Sequence, residues 1–292
     1  MSLASHASSS GRPAARIAET ISWMTRSMTG YYTVEPLMAK GPAPMNRALA
    51  RQLSRLTGEF YRQVGASFSK TRAAGWPGWE RVLACIAPST GGSPRVLDLA
   101  CGNLRFERAL FERYPQARSH AVDAADEMVG VDDERISYQH LDLAELLLEP
   151  EALVSALDAP PCDAAVCLAF MHHLPLPVQR VRLLETLVRK VRPGGIVAVS
   201  FWQFAHDGRL LGKARHATAA ACSRYGLPAL GPDDYLMGWQ DEEDAFRFCH
   251  HASDSEIDAL LETVASRTRM RARYRADGAS GELNQYVILE VR

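Results

Sequence analysis

The chain has 292 residues, of which 47% are hydrophobic and 23% are charged, and its formal net charge is −1. This composition is typical of a globular protein with one sizeable core and excludes a largely disordered chain. No apolar run reaches the roughly 18 to 20 residues that a membrane span needs, so we expect a soluble, cytoplasmic protein without a membrane segment. The six cysteines form no C-x-x-C pair, and we therefore expect neither a disulfide framework nor a bound metal.

The charge is distributed unevenly along the chain. Residues 1–75 contain ten Lys and Arg against three Glu, a net charge of +7, and the remainder has a net charge of −8. A basic segment on an acidic body can hold a polyanion through long-range, salt-sensitive attraction. It can equally be a solvated helix face, and the charge pattern alone leaves both interpretations open.

The pattern of apolar residues divides the chain into three parts. Residues 1–44 are rich in Ser, Ala, Gly and Pro without a sustained apolar period, which predicts a disordered segment. Apolar residues at helical spacing predict a helical cap over residues 45–88. From residue 89 onward, strand-like and helical stretches alternate; the strand-like ones are RVLDLA, SHAVD, ISYQHLD, CDAAVCLAF and GGIVAVSFW. This alternation predicts an α/β fold with a parallel sheet covered by helices on both faces.

The end of the chain shows a different pattern. A predicted helix over residues 255–264 is followed by RTRMRARYRADG and ELNQYVILEV, two strand-like runs that predict a terminal antiparallel hairpin. Arginines alternate along the first run, so we expect all of them on one face; they are Arg267, Arg269, Arg271, Arg273 and Arg275. Such a face can protect a sheet edge from aggregation, or it can join the basic N-terminal region in binding an RNA backbone.

Acidic residues follow three successive predicted strands. The first strand leads through Asp98 into the turn ACGNL, whose small residues Ala100 and Gly102 let a ligand approach the backbone. Asp123 ends the next strand, at a spacing from the turn that suits binding of ribose hydroxyls, and Asp142 follows the third strand. The pattern predicts one ligand surrounded by three acids. The alternative for these acids is helix capping and loop solvation.

In this order of motifs, residues 90–203 resemble the class I S-adenosylmethionine-dependent methyltransferases. The resemblance implies a Rossmann-like seven-stranded sheet, S-adenosylmethionine as cofactor, and a methyltransferase domain over residues 89–292. Within this domain, the length of the segment over residues 206–250 predicts a substrate lid. The resemblance also implies the cofactor-binding residues, which are Asp98, Ala100, Cys101 and Gly102 for the methionine part, Asp123 for the ribose, Asp142 and Leu143 for the adenine, and Leu168 and Arg72 besides. Leu104 departs from the family pattern, which has a glycine at this position.

Three segments carry a narrower resemblance. FSKTRAAGWPGW, the His-His segment CLAFMHHLPLP, and a tail containing YLMGWQ, FRFCHH and LNQYVIL are similar to the wobble-uridine tRNA methyltransferases, which esterify a carboxymethyl group on the anticodon base. This similarity implies tRNA as substrate and a small activator protein as partner. We expect Arg72 and Trp76 to close over the site, and Arg269, Arg271 and Arg273 to contact the tRNA.

The nature of the methyl acceptor determines whether a base is needed. A carboxylate already has an attacking lone pair, whereas a phenol or amine needs a base, for which His172 and His173 are the candidates. Adjacent histidines can also be a packed pair with a purely structural role. Three hypotheses remain open: a wobble-uridine-type tRNA methyltransferase, a methyltransferase of a small carboxylic acid or phenol, and a cofactor-binding module without turnover, for which Leu104 is the only indication.

Overall fold

The structure is a computed structural model that describes residues 45–71, 74–87, 92–130, 132–240 and 242–292, without the side chains of Glu127 and Glu243. The segment predicted to be disordered, residues 1–44, lies outside the described residues, and so does Arg72.

The strands form two sheets. In chain order they are β1 Arg95–Leu99, β2 Arg118–Asp123, β3 Ile136–His140, β4 Cys162–Cys167, β5 Val191–Trp202, β6 Asp234–Trp239, β7 Glu242–His250, β8 Thr268–Ala276 and β9 Asn284–Val291. The main sheet has the order β3-β2-β1-β4-β5-β9-β8, and β6 and β7 form a separate antiparallel pair. Strands β1 to β5 pair in parallel, while β9 is antiparallel to both β5 and β8. The predicted Rossmann-like α/β fold with a terminal antiparallel hairpin is confirmed.

Helices cover the main sheet, and the first element of the described chain is also a helix. They are α1 Arg47–Lys70, α2 Trp79–Cys85, α3 Arg105–Arg113, α4 Leu143–Leu146, α5 Ala152–Ala156, α6 Pro177–Lys190, α7 Gly208–Tyr225 and α8 Asp254–Glu262. Helix α1 begins where the Asn46 side chain accepts a hydrogen bond from the Leu49 N–H at 2.9 Å, which satisfies one of the free donors of a helix start. Within the described ranges, no helix combines the length and hydrophobicity that crossing a membrane demands.

The main core lies on both faces of the sheet. Leu97 and Leu99 of β1 point to the face covered by α6 and α8, and Val96 points to the face covered by α2 and α3. Each of these side chains is almost completely buried, which stabilises the fold by about 1.5 to 3 kcal/mol per side chain. Burial on both faces explains why β1 is a continuous apolar run rather than an alternating one.

Residues 206–250, the predicted lid, contain α7 and the β6–β7 pair. Leu53 and Leu56 of α1 pack against Leu236, Phe246 and Phe248 of this pair. The segment therefore packs against one side of α1, and its function as a lid stays a prediction.

The arginines of β8 do not share one face. The pairing of this edge strand with β9 shifts register between Met270 and Ala272. Arg269 pairs with Glu290, but Arg273 reaches Asp254 of α8, which covers the opposite face. The prediction of a single cationic face is wrong because a β-bulge reverses the alternation of side chains beyond it.

Acidic residues also compensate the charge of these arginines. Arg267 lies 3.8 Å from Glu185, Arg271 lies 3.3 Å from Glu290, and Arg275 lies 3.1 Å from Asp254. A strand whose cations are paired attracts phosphates less than five free cations would. Binding of tRNA by Arg269, Arg271 and Arg273 stays a prediction.

A buried carboxylate joins the β8–β9 turn to the start of α2. Asp277 accepts hydrogen bonds from the Gly78 N–H at 2.9 Å, from Asn284 Nδ2 at 2.8 Å and from the Tyr286 hydroxyl at 2.5 Å. The Tyr274 hydroxyl donates to the Gly78 carbonyl at 2.6 Å. A Cβ atom at Gly78 would lie 2.3 Å from Cε2 of Tyr286, so only glycine allows this close approach.

We predict that Gly78→Ala lowers the free energy of unfolding by about 1 to 3 kcal/mol, the usual cost of forcing atoms into a packed site. The control is Gly212→Ala in α7, where an added Cβ meets nothing within 4 Å, and which should be neutral or stabilising by roughly 0.5 to 1 kcal/mol. Urea unfolding of the two variants measures the difference. Equal transition midpoints would contradict the packing described here.

Candidate active site

A cavity of about 520 Å³ opens at the carboxyl ends of β1, β2 and β4. Its volume lies in the range typical of small-molecule sites, about 300 to 1,000 Å³. The turn after β1 and the ends of β2 and β3 line one side of the cavity, and α1 and the start of α2 line the other. Parallel α/β sheets bind their ligands at the carboxyl ends of their strands.

In the turn between β1 and α3, every second residue has a left-handed backbone conformation. Ala100, Gly102 and Leu104 have φ angles of 67°, 54° and 58°. Only one of them is a glycine, although a side chain in this conformation costs roughly 1 to 2 kcal/mol. Leu104 is 4% exposed and packs with Cys101 and Ala121, so its burial offsets the strain. The departure from the family pattern at Leu104 therefore leaves the left-handed turn intact.

Asp123 ties the end of β2 to this turn. Its Oδ2 accepts from the Gly102 N–H at 2.8 Å, and its Oδ1 accepts from the N–H groups of Ala124 at 2.8 Å and Ala125 at 2.9 Å. Burial raises the pKa of Asp123 above its ordinary value, and the three N–H donors oppose that shift. The carboxylate thus lies in the cavity with its orientation fixed by the backbone.

Asp142 serves as a helix cap at the edge of the same cavity. Its Oδ1 accepts from the Glu145 N–H at 3.0 Å and begins α4. The capping role considered from the sequence is thus present here. Asp142 and the buried Leu143 also line the cavity, so capping and ligand contact are compatible.

Asp98 forms a carboxyl pair with Glu107 of α3 below the turn. Both side chains are buried, and burial together with the neighbouring Glu107 raises the pKa of Asp98 well above its ordinary value. Asp98 Oδ1 and Glu107 Oε2 find no conventional donor among the described residues, while Glu107 Oε1 accepts from the Ser119 hydroxyl at 3.0 Å. One proton shared by the two carboxyl groups satisfies both oxygens and halves the buried charge.

The two histidines occupy different positions. His173 lines the cavity; its Nδ1 lies 2.7 Å from the Phe248 carbonyl and its Nε2 lies 2.9 Å from the Tyr61 hydroxyl. Because a carbonyl only accepts, Nδ1 carries the proton and Nε2 accepts from Tyr61. His172 lies behind His173 with its ring centroid 5.2 Å from that of Trp202.

Burial keeps both histidines neutral. Burial and the nearby Arg247 lower the pKa of His173 to about 3. Burial and the neighbouring His173 lower the pKa of His172 well below its ordinary value. Neither imidazole has the pKa near 7 that suits a general base at neutral pH, and the lone pair of His173 is already engaged. This geometry fits the structural interpretation of the pair better than the catalytic one.

Arg105, which sequence reasoning missed, supplies a cation to the cavity. Its guanidinium carbon lies 6.0 Å from the Trp76 ring centroid and 5.2 Å from that of Trp79. It donates to Asn103 Oδ1 at 3.2 Å and to the Ala74 carbonyl at 3.0 Å. Burial lowers the pKa of Arg105 to about 10, so it stays positive at neutral pH. Within the described part of the chain, no carboxylate lies within ion-pair distance of it.

The position of Arg105 offered one signal in the sequence. It is the first residue of α3, and a cation there opposes the helix dipole. A positive charge that disfavours the helix at this position indicates that Arg105 has a role other than helix stability.

Most of the predicted site residues meet at the cavity. Those that line it are Asp98, Ala100, Cys101, Gly102, Asp123, Asp142, Leu143, Leu168, Trp76 and His173. His172 lies outside the lining, and Arg269, Arg271 and Arg273 lie on the distant edge strand β8. Residues absent from the prediction but present in the lining include Tyr61, Arg105, Asn284 and Tyr286.

Comparison with known proteins places this cavity in a recognised domain type. Residues 97–197 match the family model described as a methyltransferase domain. The chain is 28% identical over 149 residues, 51% of its length, to the tRNA (carboxymethyluridine(34)-5-O)-methyltransferase of Mus musculus, of which the match covers 20%. It is 28% identical over 142 residues, 49% of its length, to the enzyme of the same name from Arabidopsis thaliana, of which the match covers 31%.

A third curated relative has a different acceptor in its name. The chain is 36% identical over 104 residues, 36% of its length, to the trans-aconitate 2-methyltransferase of Azoarcus sp. (strain BH72), of which the match covers 37%. The chain thus spans well under half of the length of each of these three relatives.

Solved structures share the fold. A SAM-dependent methyltransferase from Methanosarcina mazei aligns with a TM-score of 0.51 at 14% identity, covering 75% of this chain and 98% of that one. The 1,6-didemethyltoxoflavin-N1-methyltransferase of Burkholderia thailandensis aligns with a TM-score of 0.50 at 15% identity, covering 90% of this chain and 98% of that one. At these identities the likeness concerns the fold alone.

We predict opposite effects for glycine at the two strained turn positions. Ala100→Gly relieves the left-handed strain with little loss of packing and should raise the free energy of unfolding by up to about 1 kcal/mol. Leu104→Gly relieves similar strain but removes a buried side chain, for a net loss of about 1 to 3 kcal/mol. Urea unfolding decides between them, and stabilisation by both substitutions would show that Leu104 is not a packing residue.

Proposed function

We propose that this chain, which contains a class I methyltransferase domain, transfers a methyl group from S-adenosylmethionine to a carboxylate oxygen of its acceptor. Two features of the cavity together support the carboxylate above all. In the described part of the cavity, Arg105 is a half-buried cation without an acidic partner, and neither histidine has the pKa of a general base.

The residues at the strand ends fit S-adenosylmethionine. Asp123 would hold the ribose hydroxyls, Asp142 and Leu143 would contact the adenine, and the left-handed turn from Ala100 to Leu104 would receive the methionine part. When bound, this cofactor supplies an electrophilic methyl group on a positively charged sulfur. Asp98 shares a proton with Glu107, so it would meet the ligand without a second full negative charge beside Asp123.

A carboxylate acceptor matches the chemistry of the remaining side chains. A carboxyl group of pKa about 4 is ionised at neutral pH and needs no base, whereas a phenol of pKa about 10 does. Arg105 can hold one carboxylate oxygen by a charge-assisted hydrogen bond and leave the other free to attack. The rings of Trp76 and Trp79 lie beside Arg105 and would help to exclude water from a carboxylate bound there.

We further propose that the carboxylate belongs to a carboxymethylated uridine of tRNA. This proposal is supported by similarity to two carboxymethyluridine tRNA methyltransferases over about half of the chain and by the net charge of +7 over residues 1–75. An activator protein remains part of the proposal through family resemblance alone. The similarity to a trans-aconitate methyltransferase favours a small polycarboxylic acid as the second candidate acceptor.

We predict that Arg105→Gln lowers kcat/KM for carboxylate methylation by roughly 10- to 100-fold, because a charge-assisted hydrogen bond is worth about 1.5 to 3 kcal/mol. The affinity for S-adenosylmethionine, measured by calorimetry, should change little. Arg108→Gln on the same helix is the matched control, since among the described residues the exposed Arg108 side chain donates only to the Asn103 carbonyl.

Both candidate acceptors, carboxymethyluridine-containing tRNA and trans-aconitate, are assayed with each variant. If the two variants are equally active on whichever acceptor wild type methylates, Arg105 has no part in holding the carboxylate.

A further inference from the structure

Another pocket, of about 390 Å³, lies between α2 and the edge strand β8, and we call it the edge pocket. It is lined by Arg81, Ala84 and Cys85 of α2 and by Arg269, Met270, Arg271 and Ala272 of β8. Three of these residues are arginines, and in the described part of the chain no acidic residue lines the pocket. The edge pocket shares no lining residue with the cavity of the candidate active site, so it is a separate place on the molecule.

The edge pocket keeps a net positive charge. Arg269 lies 2.7 Å and Arg271 lies 3.3 Å from the carboxylate of Glu290, so two guanidinium groups share one carboxylate. Arg81 forms no ion pair with any residue in the described ranges. Three positive charges thus face one negative charge at this pocket, and the excess attracts anions.

Aromatic contacts hold the guanidinium of Arg81 in place. Its Cζ lies 4.3 Å from the centroid of the Tyr274 ring, and that ring stacks on Tyr286 with 5.2 Å between the centroids and 6° between the planes. The Tyr274 hydroxyl donates to the Gly78 carbonyl at 2.6 Å and anchors the ring. Because a cation–π contact holds the cation without a carboxylate, the positive charge of Arg81 remains available to a ligand.

The charge and the donors of the edge pocket indicate a phosphate-bearing ligand. An excess charge of two is matched by a phosphate monoester, which carries about 1.5 to 2 negative charges at neutral pH, better than by a carboxylate, which carries one. Arginine presents its N–H groups in a fork that fits two oxygens of one phosphate. Met270, which is 45% exposed and lines the same pocket, offers an apolar contact for the organic part of the ligand.

We propose that the edge pocket binds phosphate, held by Arg81, Arg269 and Arg271. In the sheet order, β8 lies four strands from β1, which is roughly 19 Å at the usual strand spacing. A phosphate bound here therefore belongs to a separate phosphorylated molecule or to a distant part of an extended one. Two adjacent backbone phosphates of an RNA carry the same total charge as one monoester, so the site takes the same chemistry from both sources.

Binding of inorganic pyrophosphate to the full chain tests this site. Calorimetry gives the Kd for wild type and for Arg81→Gln, and we expect the Kd to be about 10- to 100-fold higher in the variant, which loses a charge-assisted hydrogen bond. Arg113→Gln is the matched control and should bind like wild type. The exposed Arg113 also has its guanidinium over a tyrosine ring, 5.7 Å from the centroid of Tyr114, but it lies outside the edge pocket.

Cys85 reports where the pyrophosphate binds. Its half-buried side chain lines the edge pocket, so bound pyrophosphate should slow its alkylation by iodoacetamide. Cys222, a half-buried cysteine of α7 that lies outside the pocket, should be alkylated at an unchanged rate. Mass spectrometry of the digested protein measures both rates.

Three results would overturn the phosphate site. They are the absence of pyrophosphate binding to wild type, an equal Kd in wild type and Arg81→Gln, and binding that leaves the alkylation of Cys85 unchanged. Arg271→Gln is the second variant should Arg81→Gln fail to fold, and it should weaken binding for the same reason.

Bulk tRNA separates the two sources of phosphate. If tRNA slows the alkylation of Cys85 and competes with pyrophosphate, the phosphates belong to an RNA. If only pyrophosphate slows it, they belong to a small phosphorylated molecule. Both results uphold the phosphate site, and neither depends on methyl transfer to a carboxylate.

Discussion

The buried carboxylate of Asp277 is the interaction on which the side of the cavity formed by α2 and β9 depends. The backbone of Asp277 has a φ of 71° in the turn between β8 and β9. Its side chain accepts hydrogen bonds from Gly78 at the start of α2 and from two side chains of β9. Trp79, one residue after Gly78, then packs against Phe106 of α3 at 5.7 Å between ring centroids. Through these contacts the Asp277 carboxylate positions three groups. They are the Trp79 indole, which lies beside Arg105, the Asn284 amide and the Tyr286 phenol.

Burial shifts the pKa values of the titratable groups at the cavity and so determines its electrostatics. Burial raises the pKa of Asp98 and Asp123 and lowers that of His172 and His173, because it disfavours the charged form of each group. Arg105 keeps its charge because its ordinary pKa is far above neutrality. A cavity whose histidines are neutral and whose half-buried Arg105 keeps its charge suits an acceptor that arrives already ionised. It suits a phenol or amine poorly, since these must lose a proton before or during attack.

The main elements of the fold could be predicted from the sequence because they depend on local patterns of residues. Apolar strands separated by helical stretches predicted the α/β sheet, and acids at strand ends predicted that Asp98, Asp123 and Asp142 would meet. The bulge near Met270 depended on pairing with β9 and was not predictable from alternation of arginines alone. Tyr61 meets His173 across 112 residues and Gly78 meets Asp277 across 199, and no spacing rule in a single sequence reports such contacts. Arg105 was missed for the same reason, since its surroundings in the cavity come from residues that are distant in the sequence, such as Ala74.

The most direct test of the account is the chemical nature of the bond formed by methyl transfer. The full chain is incubated with S-adenosylmethionine labelled in its methyl group and with tRNA containing carboxymethyluridine or with trans-aconitate, and the purified product is treated with mild alkali. A methyl ester is hydrolysed under these conditions, so we expect the label to be released as methanol. Label that stays on the acceptor after alkali would identify a methyl ether, an N-methyl or a C-methyl product and contradict transfer to a carboxylate.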